Sequence, residues 1–235
     1  MFGIYFDPLY MVMVLLPGLL LSGVASMMVK SAFHKYSRIP TRQGFTGAQA
    51  AERLLHQAGI YDVSIVRTQG FLGDHYNPAT RTLALSDDVY GSQSISAIGV
   101  ACHEAGHALQ HAEAYGFLTM RSALVPAVNL GSGASNILLM LGFFLQSQQL
   151  LILGIAAFSL VVLFQLITLP VEIDASARAK RLCVASGICD ETERVGVSKV
   201  LNAAALTYLA AFVSSLLTLL YFLIRSGLLG GQSDE

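Results

Sequence analysis

Residues 99–115 read GVACHEAGHALQHAEAY. Small side chains, Ala101, Cys102, Ala105, Gly106 and Ala108, surround His103, Glu104 and His107. A helical reading puts the two histidines, four residues apart, on one face and one turn apart. Two imidazoles so placed reach a single Zn²⁺ at about 2.0–2.1 Å each. Glu104, one position on, is angled toward the remaining coordination position. There a carboxylate takes a proton from an attacking water and later passes it to a leaving amine. The competing reading is a solvated helix face bearing three chance polar residues. Against it, a glutamate and two histidines in so apolar a run are costly to bury without a partner.

On both sides of this stretch the chain reads as membrane. Hydrophobic residues make up 54% of the 235 and charged residues only 12%. A soluble domain carries about twice that charge. Mean hydropathy is +0.60. Leu9–Val29, Leu150–Val171 and Leu201–Ile224 are uncharged over 21, 22 and 24 residues. Each exceeds the roughly 20 residues needed to cross the hydrocarbon. Leu124–Leu145 is also uncharged but carries Asn129, Ser132, Ser135, Asn136 and several glycines. Such small residues suit helix–helix contact in lipid, and it reads as a fourth span. No base precedes the first run, and Lys30, Lys35, Arg38 and Arg42 follow it. That is the pattern of a retained anchor with its amino terminus outside.

Eight Lys/Arg lie in residues 30–123 and five in 172–200, against none in the QSQQ link. Four spans with both termini outside put both basic segments in the cytoplasm. The expected organisation is an anchor (1–29), a cytoplasmic catalytic region (30–123) and two spans (124–171). A second cytoplasmic segment (172–200), then a last span and tail (201–235), complete it. The closing GLLGGQSDE reads as disordered. A net charge of −1 argues against a nucleic-acid partner. Cys102, Cys183 and Cys189 are odd in number with no C-x-x-C pair, as free thiols in a reducing compartment would be.

The loop after the anchor reads as folded. Thr46 and Gln49 form a capping box, Gly59 stops the helix, and Ala48, Ala51, Leu55 and Ala58 line one face. DVSIVRT (62–68) and TRTLALS (80–86) are strand candidates, with the turn-rich QGFLGDHYNPA between them as the loop of a short hairpin. The second strand could offer its edge to an extended peptide. The H-E-x-x-H helix is expected from about Ser94 to about His111, and Asp190 with Glu193 caps a later helix. His75, Tyr76 and Arg178 are candidate contacts to substrate or to the transition state.

Two histidines leave a third ligand to find. His111 continues the same face but lies far along the axis. Glu172, in VEIDASARAKRL at the end of the third uncharged run, is the better candidate, with Asp174 its competitor two positions on.

H-E-x-x-H followed by a span and E-x-x-A-[DS]-x-x-A resembles the membrane metallopeptidases that include HtpX and the CAAX prenyl proteases. In those enzymes the second-motif glutamate is the third zinc ligand, a role the resemblance implies for Glu172. Ala175, Ser176 and Ala179 fill the rest of the pattern. Ser176 stands where those enzymes commonly have Asp, which bears on how a ligand is oriented. Residues 74–112 and LPVEIDASARAKRL (169–182) are similar to the YugP-type neutral zinc metallopeptidases of bacteria, over nearly the whole chain.

The expectation is a mostly α polytopic membrane protein with about four transmembrane helices and a cytoplasmic zincin-like region with a short β-hairpin. One Zn²⁺ per chain is held by His103, His107 and Glu172, and Glu104 is the general base. The protein then hydrolyses peptides or membrane proteins at the cytoplasmic face of the bacterial inner membrane. Its partners are substrate and lipid bilayer. The rival readings are an inactive membrane chaperone or adaptor that keeps the zinc site, and a zinc transporter. A transporter needs ionisable ligands within its spans, and spans one and three are nearly bare of them. An adaptor has little reason to keep Glu104.

Overall fold

A computed structural model describes residues 7–70 and 73–229. Residues 230–235, most of the segment read as a disordered tail, lie outside the described residues, as do residues 71 and 72 of the turn-rich loop. Asp7 caps the first helix by accepting the Leu9 amide at 2.9 Å, and Pro8 takes the first helical position, where its missing N–H is no loss. α1 (Pro8–Tyr10) passes through a π-helical stretch (Met11–Leu15) into α2 (Leu16–Tyr36) as one continuous helix. There follow α3 (Gly47–Gln57), β1 (Ser64–Thr68), β2 (His75–Asn77), β3 (Thr82–Ser86), α4 (Asp87–Tyr90) and α5 (Ile95–Ala112). Three long helices close the chain: α6 (Gly116–Phe144), α7 (Gln148–Ala185) and α8 (Glu191–Arg225). The fold is mostly α, and four helices are long and apolar enough to cross a membrane: Pro8–Tyr36, α6, α7 and α8. Three of them contain an uncharged run whole and continue beyond it; α6 begins before the fourth run and ends at Phe144, one residue short of its end.

The chain divides into two units. The first takes the residues up to Val24, Met120–Leu169 and those from Thr207. Its described residues are mostly apolar helix, with Val14, Leu139, Ile155, Tyr221 and Phe222 packed together. A β-carbon on Gly154 would come within 2.9 Å of the Leu139 backbone nitrogen, so the glycine lets α6 and α7 approach closely. Leu20 and Leu130 stay exposed, as lipid contact requires of a membrane helix. Asp7 is not left alone beside these helices: the Tyr221 hydroxyl donates to it at 2.9 Å and Arg225 lies 3.5 Å away.

The second unit comprises Ala25–Thr119 and Pro170–Leu206. Its core is drawn from α3, β3, α5 and the adjoining parts of α2, α7 and α8, including Leu54, Leu83, Leu85, Ile98, Ile188 and Leu201. The Thr46–Gln49 capping box forms, and Gly59 takes the left-handed conformation (φ +75°) after α3. The buried face of α3 is centred on Gly47, Ala50, Ala51, Leu54 and Leu55, so Ala58 is exposed. The rotation follows from Gly47, where a β-carbon would sit 2.2 Å from the Val89 carbonyl oxygen; that contact turns the 47–51–54 side inward. Asp190 and Glu193 cap α8 reciprocally, each backbone N–H donating to the other's carboxylate, at 2.9 and 2.8 Å.

The sheet differs from the expected hairpin. Its order is β1-β3-β2: β3 lies parallel to β1 and antiparallel to β2. His75 and Tyr76 are therefore strand residues, and the hairpin is β2–β3. The physical reason is burial. Leu83, Ala84 and Leu85 are all buried, and a strand covered on both faces takes the centre, leaving the half-exposed β1 and β2 as edges. β3 consequently has no free edge to offer a peptide.

Candidate metal centre

Every residue of the centre lies in the second unit. α5 begins at Ser94, whose hydroxyl accepts the Ala97 amide at 3.2 Å. It runs with most of its length buried. Ala97, Ala101, Ala105 and Ala108 make it narrow on the sides that meet its neighbours. Gly106 completes this: a β-carbon there would lie 2.9 Å from the Ala175 carbonyl oxygen of α7. The two backbones meet at the turn that carries His103 and His107, and α7 presents Glu172 to them.

The His103 Nε2 is 3.2 Å and the His107 Nε2 3.6 Å from the same Glu172 oxygen, Oε2. The candidate ligand atoms of the three residues all lie within 4.8 Å of one another. An ion tetrahedrally bound at about 2.0–2.1 Å separates its ligand atoms by roughly 3.3 Å, so the residues fit zinc. Glu172 is 2% exposed, His107 7% and Glu104 8%. Burial pushes the His107 imidazole toward the neutral form, but its hydrogen bond to Glu172 and the nearby Glu104 carboxylate hold its pKa above the ordinary value. A buried anion between two imidazoles is an arrangement that a cation stabilises.

The far side of each ring points the same way chemically. The Gln110 amide nitrogen donates to the Val171 carbonyl and to Asp174, both at 2.8 Å. Its oxygen is thereby turned to accept from His107 Nδ1 at 3.0 Å. His103 Nδ1 lies 3.2 Å from the Ser176 hydroxyl. A ring that donates its Nδ1–H outward to such a partner has Nε2 available to a metal on the side where Glu172 lies. Ser176 thus orients a histidine from the position where Asp is common in the enzymes this chain resembles. Gln110 is the residue the sequence reading passed over; its signal was position, one turn after His107 on the same face. Replacing Gln110 with Leu is expected to weaken zinc binding about 10–100-fold, measured by competition against a chromophoric chelator.

The remaining candidates lie around this group. Asp174 accepts from Gln110 and from Arg178 (2.6 Å), and Arg178 also donates to Glu113 at 2.6 Å. His111 Nδ1 is 2.8 Å from the Tyr76 hydroxyl, turned toward β2. His75 is exposed, with Nδ1 2.8 Å from the carbonyl of Gly73 in the loop that precedes β2. None of these joins the three-residue group. Glu104 is buried beside His107, yet forms no hydrogen bond or ion pair among the described residues. Its carboxylate is uncommitted.

Residues 11–227 match the family described as "Putative neutral zinc metallopeptidase". The chain belongs to this family. It is also 50% identical over 204 residues to the "Putative membrane protease YugP" of Bacillus subtilis (strain 168), covering 87% of this chain and 91% of that one. No solved structure matches the chain. Membership in a zinc metallopeptidase family accords with the donor set, two imidazoles and one carboxylate without a thiolate.

The close approach at Gly106 has a direct consequence. Gly106→Val forces α5 away from α7, and overpacking of this kind costs about 1–3 kcal/mol. The expected outcome is a lower unfolding temperature in detergent together with zinc content well below one per chain.

Proposed function

We propose that this protein is an integral membrane zinc endopeptidase in which His103, His107 and Glu172 hold the metal and Glu104 is the general base. The observation that carries the reading is the combination of three converging ligand atoms with a buried, uncommitted carboxylate one residue from the first ligand. Zinc bound there supplies a Lewis acid that polarises a peptide carbonyl and makes water a nucleophile near neutral pH. Glu104 accepts the proton of the attacking water and delivers it to the departing amine. Ser176 and Gln110 keep the His103 and His107 rings in the tautomer that leaves Nε2 free. The Asp174–Arg178–Glu113 ion pairs hold Gln110 from the other side.

Substrates are membrane proteins or peptides at the cytoplasmic face of the bacterial inner membrane. Two features support this placement: the basic segments 30–123 and 172–200, and the position of Glu172 directly after an uncharged run. β2 packs against α5 through Tyr76 and His111, and it is an edge strand. An extended peptide therefore finds its unpaired edge on β2. An adaptor that merely retains zinc gains nothing from a glutamate beside the candidate ligands that makes no hydrogen bond or ion pair among the described residues. The test is cleavage of an unfolded protein by the purified chain in detergent, before and after a zinc chelator. Cleavage should vanish with the chelator and return with stoichiometric zinc. Substrate capture without cleavage in either state would favour the adaptor.

A further inference from the structure

A groove of about 560 Å³ runs between α2 and α8 within the second unit. The two helices are antiparallel here: Tyr36 at the end of α2 packs against Gly196 near the start of α8. The groove is divided by polarity along its length. Met27, Met28 and Leu206 belong to the uncharged runs 9–29 and 201–224 and are exposed within the chain. Lys35 and Lys199 line the other end, beyond those runs. Asn202 lies between, its carbonyl oxygen taken by Lys180 at 2.5 Å, which leaves its amide nitrogen as a donor. No acidic side chain lines the groove, and neither Lys35 nor Lys199 makes an ion pair among the described residues.

We propose that this groove binds an anionic phospholipid, with the headgroup phosphate between Lys35 and Lys199 and an acyl chain along Met27, Met28 and Leu206. The charge is complementary: the Lys35 ammonium, 5.5 Å from the Tyr36 ring centroid, and that of Lys199 make no ion pair among the described residues, and no carboxylate competes in the lining. The position is complementary as well. The groove spans the point where two membrane helices pass from apolar to charged sequence, which is the depth at which a bilayer carries its phosphates. Lysines at that depth attract anionic headgroups, and their stems lie along apolar surface. The inference does not depend on the peptidase reading.

The full-length chain is released from detergent into native mass spectrometry after incubation with equal amounts of phosphatidylglycerol and phosphatidylcholine of identical acyl chains. Retained phosphatidylglycerol should exceed phosphatidylcholine by about tenfold or more, as attraction by two lysines implies. The preference should fall to parity in Lys35→Gln/Lys199→Gln and fall partly in each single variant. It should be unchanged in Lys30→Gln, which alters the same charge on α2 outside the groove. Millimolar glycerol phosphate should displace none of the bound lipid. Parity in the wild type, an undiminished preference in the double variant, or an equal loss in Lys30→Gln overturns the proposal. So does full displacement by glycerol phosphate, which would make the site one for a soluble phosphate. Wild-type unfolding temperature and zinc content in the double variant show that any loss is local.

Discussion

Glu104→Gln is expected to retain one zinc per chain and to lower cleavage by about 10²–10⁴-fold, the range a positioned general base contributes. The substitution keeps the volume of the side chain and removes only its basicity. Glu104 is not a ligand in the proposed site, so metal content is the control that separates chemistry from structure. Because the carboxylate forms no hydrogen bond or ion pair among the described residues, its replacement by an amide strands no charged partner. The unfolding temperature should therefore stay at or above the wild-type value. A variant that cleaves like wild type would show that the base is another group.

Glu172→Gln is expected to have the opposite signature. Oε2 of Glu172 faces both Nε2 atoms, so in the proposed site it completes the set of donors. Neutralising it leaves two imidazoles for the metal. Residues that only orient ligands are worth about 10–100-fold in affinity, and loss of a ligand exceeds that. The expected result is a chain that folds, carries well under one zinc, and cleaves nothing at any pH. Zinc content measured by elemental analysis after gel filtration decides it. The pair of variants thus dissociates the two roles: one keeps metal and loses catalysis, the other loses both. Asp174→Asn should keep the metal, because Asp174 touches Gln110 and Arg178 rather than the histidine Nε2 atoms.

Much of this was legible in the chain because the signals are local. An uncharged run of about 20 residues has few fates other than a membrane helix; three of the four lie whole in long helices and the fourth does so but for Leu145. His103 and His107 are one turn apart by sequence alone, so any helix places them side by side. The helix ends were less legible: α7 continues past the uncharged run to Ala185 although Pro170, inside it, lacks the N–H for one backbone hydrogen bond. The sheet was misread for a physical reason. Alternation identifies a strand but not its partner, and β2, only three residues long, carries too little pattern to be seen. β3 inserts between β1 and β2 because it is the most buried of the three, a property of the assembled core. Gln110 escaped notice on similar grounds. Its role appears only when α7 brings the Val171 carbonyl and Asp174 to within 2.8 Å of it.

Zinc K-edge X-ray absorption on the purified Glu104→Gln chain reads the donor set of the proposed site itself. The account predicts nitrogen and oxygen scatterers alone, at about 2.0–2.2 Å, with the outer-shell pattern of two imidazoles. It also predicts that one imidazole's worth of that pattern disappears in His107→Ala along with most of the zinc. Sulfur scattering at about 2.3 Å would contradict it, placing the metal on the buried thiols of Cys102, Cys183 or Cys189 instead.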